Sequence, residues 1–171
     1  STAKKGKDKS TEKYLTEPGI AVIDLTFETL DSDSLPLVQK IKFNQSLNSS
    51  GDYKHFSANI LSGFGNNPFV ADNRFSDVFF GARQTYLFLG NFSIPEGYEL
   101  EALPKNMKMI MPDTSIVISR ASQFDNNTLQ TRIQLEFKKP YYPVQVYPEL
   151  QEFYKHLYAL LNEQFVIRKK K

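Results

Sequence analysis

The chain has 171 residues, 40% of them hydrophobic and 13% aromatic, which indicates a folded protein rather than a disordered one. Eight of the 21 basic residues lie in residues 1–10 and 168–171, so residues 11–167 hold 13 basic and 18 acidic side chains, a net charge of −5. A body of that sign repels phosphate, and we expect no nucleic-acid partner. Because the chain has no cysteine, disulfides, thiolate nucleophiles and cysteine metal sites are excluded.

The ends of the chain differ from its middle in composition. Residues 1–15 are predicted to form a flexible basic leader or linker and residues 168–171 a basic tail, since blocks of like charge usually stay solvated. Residues 16–167 are predicted to form a single domain. No apolar run approaches the ~20 residues of a membrane helix, and the first ten residues lack the apolar core of a signal peptide. We expect a mature secreted protein or a domain of a longer precursor.

The first elements form a predicted hairpin. Apolar residues alternate at Ala21, Ile23, Leu25 and Phe27, the turn residues of 31–36 interrupt the pattern, and a second alternation follows. The acidic "DSDS" at 31–34 lacks the glycine and the later ligands of a calcium loop, so a turn is favoured there. The segment "GFGNNPF", 63–69, does not lead from a strand into a helix, so we predict a loop rather than a phosphate site.

The middle of the chain reads as several short strands. Residues 78–94 are apolar on both faces around Tyr86–Leu89, which predicts a central strand buried from two sides. Pro95–Gly97 predict a turn, Tyr98–Ala102 a short strand that ends before Pro104, and the alternating methionines Met107, Met109 and Met111 a further strand.

The last third combines a hairpin with a helix. Residues 115–124 and 128–138 alternate as strands around a turn predicted for "DNN" at 125–127. Apolar residues then recur every three or four positions, which predicts a helix over about 148–162, followed by a short closing strand over 164–167. The fold class is therefore mostly β: an antiparallel β-sandwich, immunoglobulin-like or related, with one C-terminal helix.

Several motifs resemble a known family. They are "NNPF" at 66–69, Arg74 with "SDVFFG" at 76–81, "IPEGYELEALPKNMKM" at 94–109, and "YPELQEFYKHLYALLNEQFVIRKKK" at 147–171. In order and spacing the chain resembles the C-terminal domain of unknown function that follows a transglutaminase-like domain in multidomain proteins of Gram-negative cell envelopes. The chain has Asp77-Val78-Phe79-Phe80-Gly81 where family members commonly have Pro-Val-Asp-Phe-Gly.

The resemblance implies a non-enzymatic accessory β-sandwich, periplasmic or outer-membrane-associated, that packs on or positions the papain-like catalytic domain or its substrate. The family's catalytic Cys, His and Asp belong to the upstream domain, and no position of this chain corresponds to them. An envelope protein or glycan is a further expected partner. The alternative is an independent carbohydrate- or peptide-binding module, and a hydrolase is a weaker third class.

No catalytic, cofactor-binding or metal-binding residue is predicted. His55 and His156 lie far apart with no suitable ligand spacing, and Glu99 and Glu101 fit the outer face of a strand. The aromatic surplus is the one feature that favours binding, through a strip drawn from Phe64, Phe69, Phe75, Phe79, Phe80, Tyr141 and Tyr142.

Nine residues are candidates for structural or interaction roles. Arg74 is predicted to pair with a carboxylate or a loop carbonyl, and Phe153 to lie on the buried face of a helix that covers the sheet. The full set is Pro68, Phe69, Arg74, Asp77, Pro95, Gly97, Tyr98, Pro104 and Phe153.

Overall fold

The computed structural model describes residues 19–57, residue 59 and residues 64–171. The chain divides into two compact units, one that ends at Asn48 and one that covers Ser49–Lys171. The predicted leader, 1–15, lies outside the described residues. The prediction of one domain over 16–167 stays a prediction.

The first unit contains an antiparallel hairpin of strands β1 (Ile20–Glu28) and β2 (Val38–Gln45), which confirms that prediction. The register shifts between Val22 and Asp24, so Ile23 is an extra residue in β1. Such a bulge changes which side chains share a face. The predicted alternation from Ala21 to Phe27 is therefore wrong at its start: Val22 is half-buried, whereas Ile23 is 55% exposed.

The connection between these strands is a turn, as predicted for 31–34. The Ser32 amide donates to the Thr29 carbonyl at 3.2 Å, and the Ser32 hydroxyl accepts a hydrogen bond from the Leu35 amide at 3.2 Å. Serine rather than aspartate thus orders the turn.

The remaining elements are short strands and one helix. In chain order they are β3 (Asn48–Ser50), β4 (Tyr53–Ser57), β5 (Val78–Phe79), β6 (Gln84–Ser93), β7 (Tyr98–Ala102), β8 (Met107–Ile110), β9 (Ile116–Asp125), β10 (Thr128–Phe137), β11 (Tyr141–Tyr142), a 3-10 helix (Val144–Val146), α1 (Tyr147–Leu161) and β12 (Gln164–Lys169). The predicted fold class is confirmed in its main features, namely antiparallel sheets, one C-terminal helix and a closing strand.

The larger sheet has the order β6-β10-β9-β8. The predicted β9–β10 hairpin is confirmed, and its turn places Asn126 and Asn127 at φ values of 46° and 58°, a left-handed region that asparagine tolerates. Alternate residues of β10, from Leu129 to Phe137, are buried on one face, while Gln130 and Arg132 on the other are exposed.

Strand β6 is an edge strand, so the prediction of a central strand buried from two sides is wrong. Among the described residues it pairs only with β10. The helix packs on the face of the sheet that carries Phe88, whereas Leu87 and Leu89 on the opposite face are 50% and 67% exposed. The sequence shows apolar residues on both faces of β6 but does not indicate which face another element covers.

The second sheet has the order β3-β4-β12-β7, and β12 lies between two strands that are distant in sequence. The closing strand runs to Lys169, beyond the predicted end at Ile167 and into the predicted tail. Arg168 explains the extension, since its guanidinium contacts Glu99 at 2.7 Å and Glu101 at 3.4 Å across the sheet.

The helix covers the buried face of the larger sheet. Pro148 and Glu149 lie in its first turn, as predicted. Phe153 is 5% exposed and belongs to the core together with Ile118, Ile133 and Leu157, so the prediction of a covering helix with a buried Phe153 is confirmed. Within the residues that the structure describes, no helix is long and apolar enough to cross a membrane.

A buried arginine fixes the end of this helix. The Arg120 side chain is 2% exposed and donates at 2.8 Å to both the Leu160 and the Lys105 carbonyl oxygens, and at 2.5 Å to the Glu163 carboxylate. These hydrogen bonds join the last turn of α1 to the larger sheet and to the residues before β8.

Candidate functional site: an exposed aromatic surface

The short sheet of β5 and β11 sorts four large side chains between core and solvent. Val78 and Tyr142 are register partners and are buried, with 6% and 0% exposure. Phe79 and Tyr141 are the next register partners, and they are 70% and 49% exposed. Because successive strand residues point to opposite faces, the inner pair anchors this sheet while the outer pair is presented to solvent.

Asp77 lies on the same outer face and ties it to the helix start. Its carboxylate accepts a hydrogen bond from the Tyr141 hydroxyl at 2.7 Å and another from the Val144 amide at 2.8 Å. The bond from Tyr141, and then that from Val144, lowers the pKa of Asp77 below its usual value. The same contact raises the pKa of Tyr141. The outer face therefore combines two aromatic rings with a fixed carboxylate.

The segment before β5 adds a third aromatic side chain. Phe69 is buried, with edge contacts to Phe80 and Tyr154, and the Arg74 guanidinium lies over its ring at 5.9 Å. Arg74 also donates to the Ser76 carbonyl at 2.8 Å, which is the predicted loop-carbonyl contact. Phe75, between these two residues, is 97% exposed. Three aromatic side chains of this region are therefore exposed: Phe75 in the loop before β5, and Phe79 and Tyr141 as partners on the outer face of the short sheet. We call these three side chains the aromatic surface.

The predicted aromatic strip is therefore only partly exposed. Three of its seven members form the aromatic surface. The other four contribute to the core or pack against it; they are Phe64, Phe69, Phe80 and Tyr142.

The structure does not bring the other candidate residues to this surface. Pro95 and Gly97 form the predicted turn before β7, where the Tyr98 amide donates to the Pro95 carbonyl at 3.2 Å and Gly97 has a φ of 80°. The Lys54 ammonium lies 4.8 Å from the centre of the Tyr98 ring. Pro104 is buried and Pro68 exposed. Phe153 belongs to the core under the helix.

The titratable residues weighed for catalysis stay apart. His156 is exposed on α1 and contacts Glu152 at 2.8 Å, one helical turn away, while His55 lies on β4. The carboxylates of Glu99 and Glu101 both contact the Arg168 guanidinium. The residues that the structure describes include no group of three or more His, Asp or Glu side chains that could hold a metal ion.

Two features escaped the sequence prediction. Arg120 is one of them. Because side chains alternate along a strand, Arg120 shares a face of β9 with Ile116, Ile118 and Ser122, and this spacing alone indicates a charged residue on the buried face. The polar face of the larger sheet is the other. It carries an open groove of about 460 Å³ near Ala121.

Comparison with protein families identifies the family of this domain. A model for a domain of unknown function with solved structure, DUF3858, matches residues 52–167. The chain belongs to this family. The DUF3858 match includes the aromatic surface, the larger sheet and α1.

No curated protein matches the DUF3858 chain significantly. Among solved structures it is similar to a protein from Parabacteroides distasonis described as a putative protease, with 12% sequence identity and a TM-score of 0.49. The similarity covers 58% of this chain and 19% of that protein, so the DUF3858 chain spans about a fifth of the length of this relative.

Proposed function

We propose that this DUF3858 domain is a non-enzymatic accessory domain of a transglutaminase-like envelope protein, in the periplasm or at the outer membrane, and that it packs on or positions the catalytic domain or its substrate. The sequence resemblance supports the choice of partner. The aromatic surface is the observation that carries the proposal, because it offers a docking site on a rigid support.

The support of the aromatic surface favours binding. Val78 and Tyr142 fix β5 and β11 from below, and the Asp77 carboxylate holds the Tyr141 hydroxyl from the side. A surface that is ordered before binding loses less conformational entropy when a partner arrives. Exposed rings with no partner would otherwise be an association hazard, so a covering protein also explains why they are kept.

The size and composition of the surface fit a protein interface. Tyrosine and phenylalanine are enriched at such interfaces. A fully exposed aromatic side chain has roughly 150–250 Å² of surface. At 97%, 70% and 49% exposure, the three rings could supply about half of the ~800 Å² that each partner buries in a standard interface.

The charge of the surface indicates what the partner presents. Asp77 accepts hydrogen bonds from two groups of its own chain, which lower its pKa, and like an ordinary aspartate it is ionised at neutral pH. A carboxylate beside exposed aromatic rings complements arginine or lysine, through charge pairing and cation–π contact. We therefore expect a basic side chain at the centre of the partner's docking surface.

The residues of this chain support an accessory role rather than a catalytic one. Papain-like chemistry needs a cysteine nucleophile next to a histidine, and this chain contains no cysteine. His156 is paired with Glu152 on an exposed helix face. The proposal assigns the reaction to the upstream domain.

The test separates the two domains of the parent protein and measures their association. We expect the upstream catalytic domain to bind this domain in isothermal titration calorimetry, and the double substitution Phe79→Ser/Tyr141→Ser to weaken binding at least about tenfold. The matched control is Leu87→Ser/Leu89→Ser, which removes an equally exposed apolar pair from the larger sheet. Equal affinities for wild type and the Phe79/Tyr141 variant, with unchanged melting temperatures, would refute the docking site.

A further inference from the structure

The polar face of the larger sheet carries a groove with an ordered set of amide side chains. Pairing aligns Asn91, Gln130 and Gln123 in one row across β6, β10 and β9. The next row contains Leu89, Arg132 and Ala121, again in register. Asn106 completes the lining next to β8. We call the space bounded by Asn91, Asn106, Gln123 and Gln130 the amide groove.

The groove exists because the residue at its floor, Ala121, is small and because the adjacent Arg132 side chain is turned away from it. Ala121 has no side chain beyond its Cβ atom, so nothing from β9 fills the space above it. The Arg132 guanidinium donates to the Gln134 side chain at 2.5 Å, along its own strand and away from Gln130. The volume of about 460 Å³ lies within the ~300–1,000 Å³ range of small-ligand sites.

The amides are oriented by one another, which leaves defined donors and acceptors. Gln123 Nε2 donates to Gln130 Oε1 at 2.6 Å, and Asn106 Oδ1 accepts from the Ser122 amide at 2.7 Å. A primary amide has two N–H donors and an oxygen with two lone pairs. Gln130 Nε2 and Asn106 Nδ2 therefore retain N–H groups for a ligand, and Gln123 Oε1 retains an acceptor.

We propose that the amide groove binds an oligosaccharide. Neighbouring hydroxyls of a sugar ring donate and accept together, and planar amide and guanidinium groups match such pairs. Leu89, 67% exposed beside the groove, offers an apolar contact for the C–H face of a ring. This mode of binding relies on hydrogen bonds rather than on aromatic stacking, in agreement with a chain that has no tryptophan.

The neighbouring residues favour an extended sugar chain over a single ring or a peptide. The polar strip continues into the next row, where Gln134, Ser119 and Lys108 are aligned across three strands. A peptide would gain most by pairing with free backbone groups, but β9 and β10 already pair on both sides. The inference is independent of the proposed accessory function.

The experiment uses the whole chain labelled with nitrogen-15 and three soluble probes: hexamers of β-1,4-linked glucose, of β-1,4-linked N-acetylglucosamine and of α-linked mannose. At about 10 mM probe, tenfold above a weak dissociation constant of ~1 mM, we expect at least one hexamer to shift amide resonances of Ala121, Gln123 and Gln130. Ala121→Leu fills the floor and should weaken that binding about tenfold or more. Thr85→Leu, an exposed position on the same face but outside the groove, should change it less than about twofold.

Three outcomes would overturn the inference. They are no shift with any hexamer, shifts that map to Phe79 and Tyr141 instead, and equal affinities for Ala121→Leu and wild type. Binding of an unrelated hexapeptide to the same resonances would overturn the assignment to sugars. Both leucine variants must show the wild-type pattern of resonances away from the substituted strand, which confirms that they are folded.

Discussion

This domain has two aromatic regions, one buried and one exposed. Under α1, rings pack edge to face, with Phe69 and Tyr154 centred 4.5 Å apart. On the aromatic surface, Phe75 is almost fully exposed and Phe79 is 70% exposed. Phe79 and Phe80 are adjacent in sequence, yet Phe80 contacts the core and Phe79 faces solvent. Strand alternation rather than composition therefore separates the buried rings from the exposed ones here.

The largest effect should come from the buried side. Phe153→Ala removes a ring that is 5% exposed from the core, and we expect the free energy of unfolding to fall by about 3–5 kcal/mol. Urea denaturation followed by circular dichroism measures it. Lys155→Ala, on the solvent face of the same helix, is the control and should cost less than about 0.5 kcal/mol. A loss below about 1 kcal/mol for Phe153→Ala would mean that the helix does not cover the sheet.

A polar substitution tests whether the core also depends on one charge. Arg120→Met keeps much of the side-chain length but removes the guanidinium that donates to the Leu160 and Lys105 carbonyl oxygens. Each lost bond to a charged group is worth roughly 1.5–3 kcal/mol, and methionine recovers part of the packing, so we expect a loss of about 2–4 kcal/mol. Arg132→Met, on the exposed face of the neighbouring strand, should be nearly neutral under the same denaturation protocol. Similar losses of unfolding free energy for the two arginine variants would contradict a stabilising role for the Arg120 hydrogen bonds.

The carboxylate of the outer face should reveal itself through pH. The pKa of Asp77 is lowered in the folded protein, so its stabilisation is complete above the unfolded value of ~3.9 and is lost as the pH falls through the folded value. The melting temperature of wild type should exceed that of Asp77→Asn at about pH 6, and the difference should vanish towards about pH 2.

The same experiment has an internal control. Tyr141→Phe removes the hydrogen-bond donor but keeps the ring, so it should shrink the pH-dependent difference contributed by Asp77. A difference between wild type and Asp77→Asn that stays constant with pH would show that the carboxylate charge has no part in the effect.

The smallest effect is expected on the aromatic surface itself. Phe75 is 97% exposed, and Phe75→Ser should change the free energy of unfolding by no more than about 0.5 kcal/mol. Together with Phe153→Ala, it compares the same residue type in the two regions by one denaturation measurement. A clear loss of stability would place Phe75 in a contact of the folded domain and remove it from the docking surface.

Local patterns in the sequence predict much of this fold. The β9–β10 hairpin follows from alternation around Asn126 and Asn127, and α1 follows from its apolar spacing with Pro148 at the start. In the 94–111 stretch, Gly97 and Pro104 mark a real turn and a real strand end. Each of these signals acts over a few residues, so the neighbours in sequence determine the result.

What the sequence leaves open depends on contacts between distant elements. Leu87 and Leu89 read as a buried strand because their apolar character is visible and the absence of a cover is not. The bulge at Ile23 shifts by one residue which side chains of β1 share a face, and no glycine in the sequence signals it. The aromatic residues 64–80 and 141–142 predict a strip, but only the pairing of β5 with β11 decides that Phe79 and Tyr141 face outward. The amide groove likewise assembles from three strands whose register no single segment specifies.

The position of β12 has a consequence for how the protein is made. This strand joins β4 to β7 and pairs Gln164 with Ser57. The second sheet therefore lacks its central strand until residues 164–169 have left the ribosome. Strand β4 cannot pair with β12 until all the residues between them have been synthesised. Closing so long a loop is slow. The consecutive strands β8, β9 and β10 of the larger sheet need only local contacts, so synthesis itself should order assembly, with these three strands first and the second sheet last.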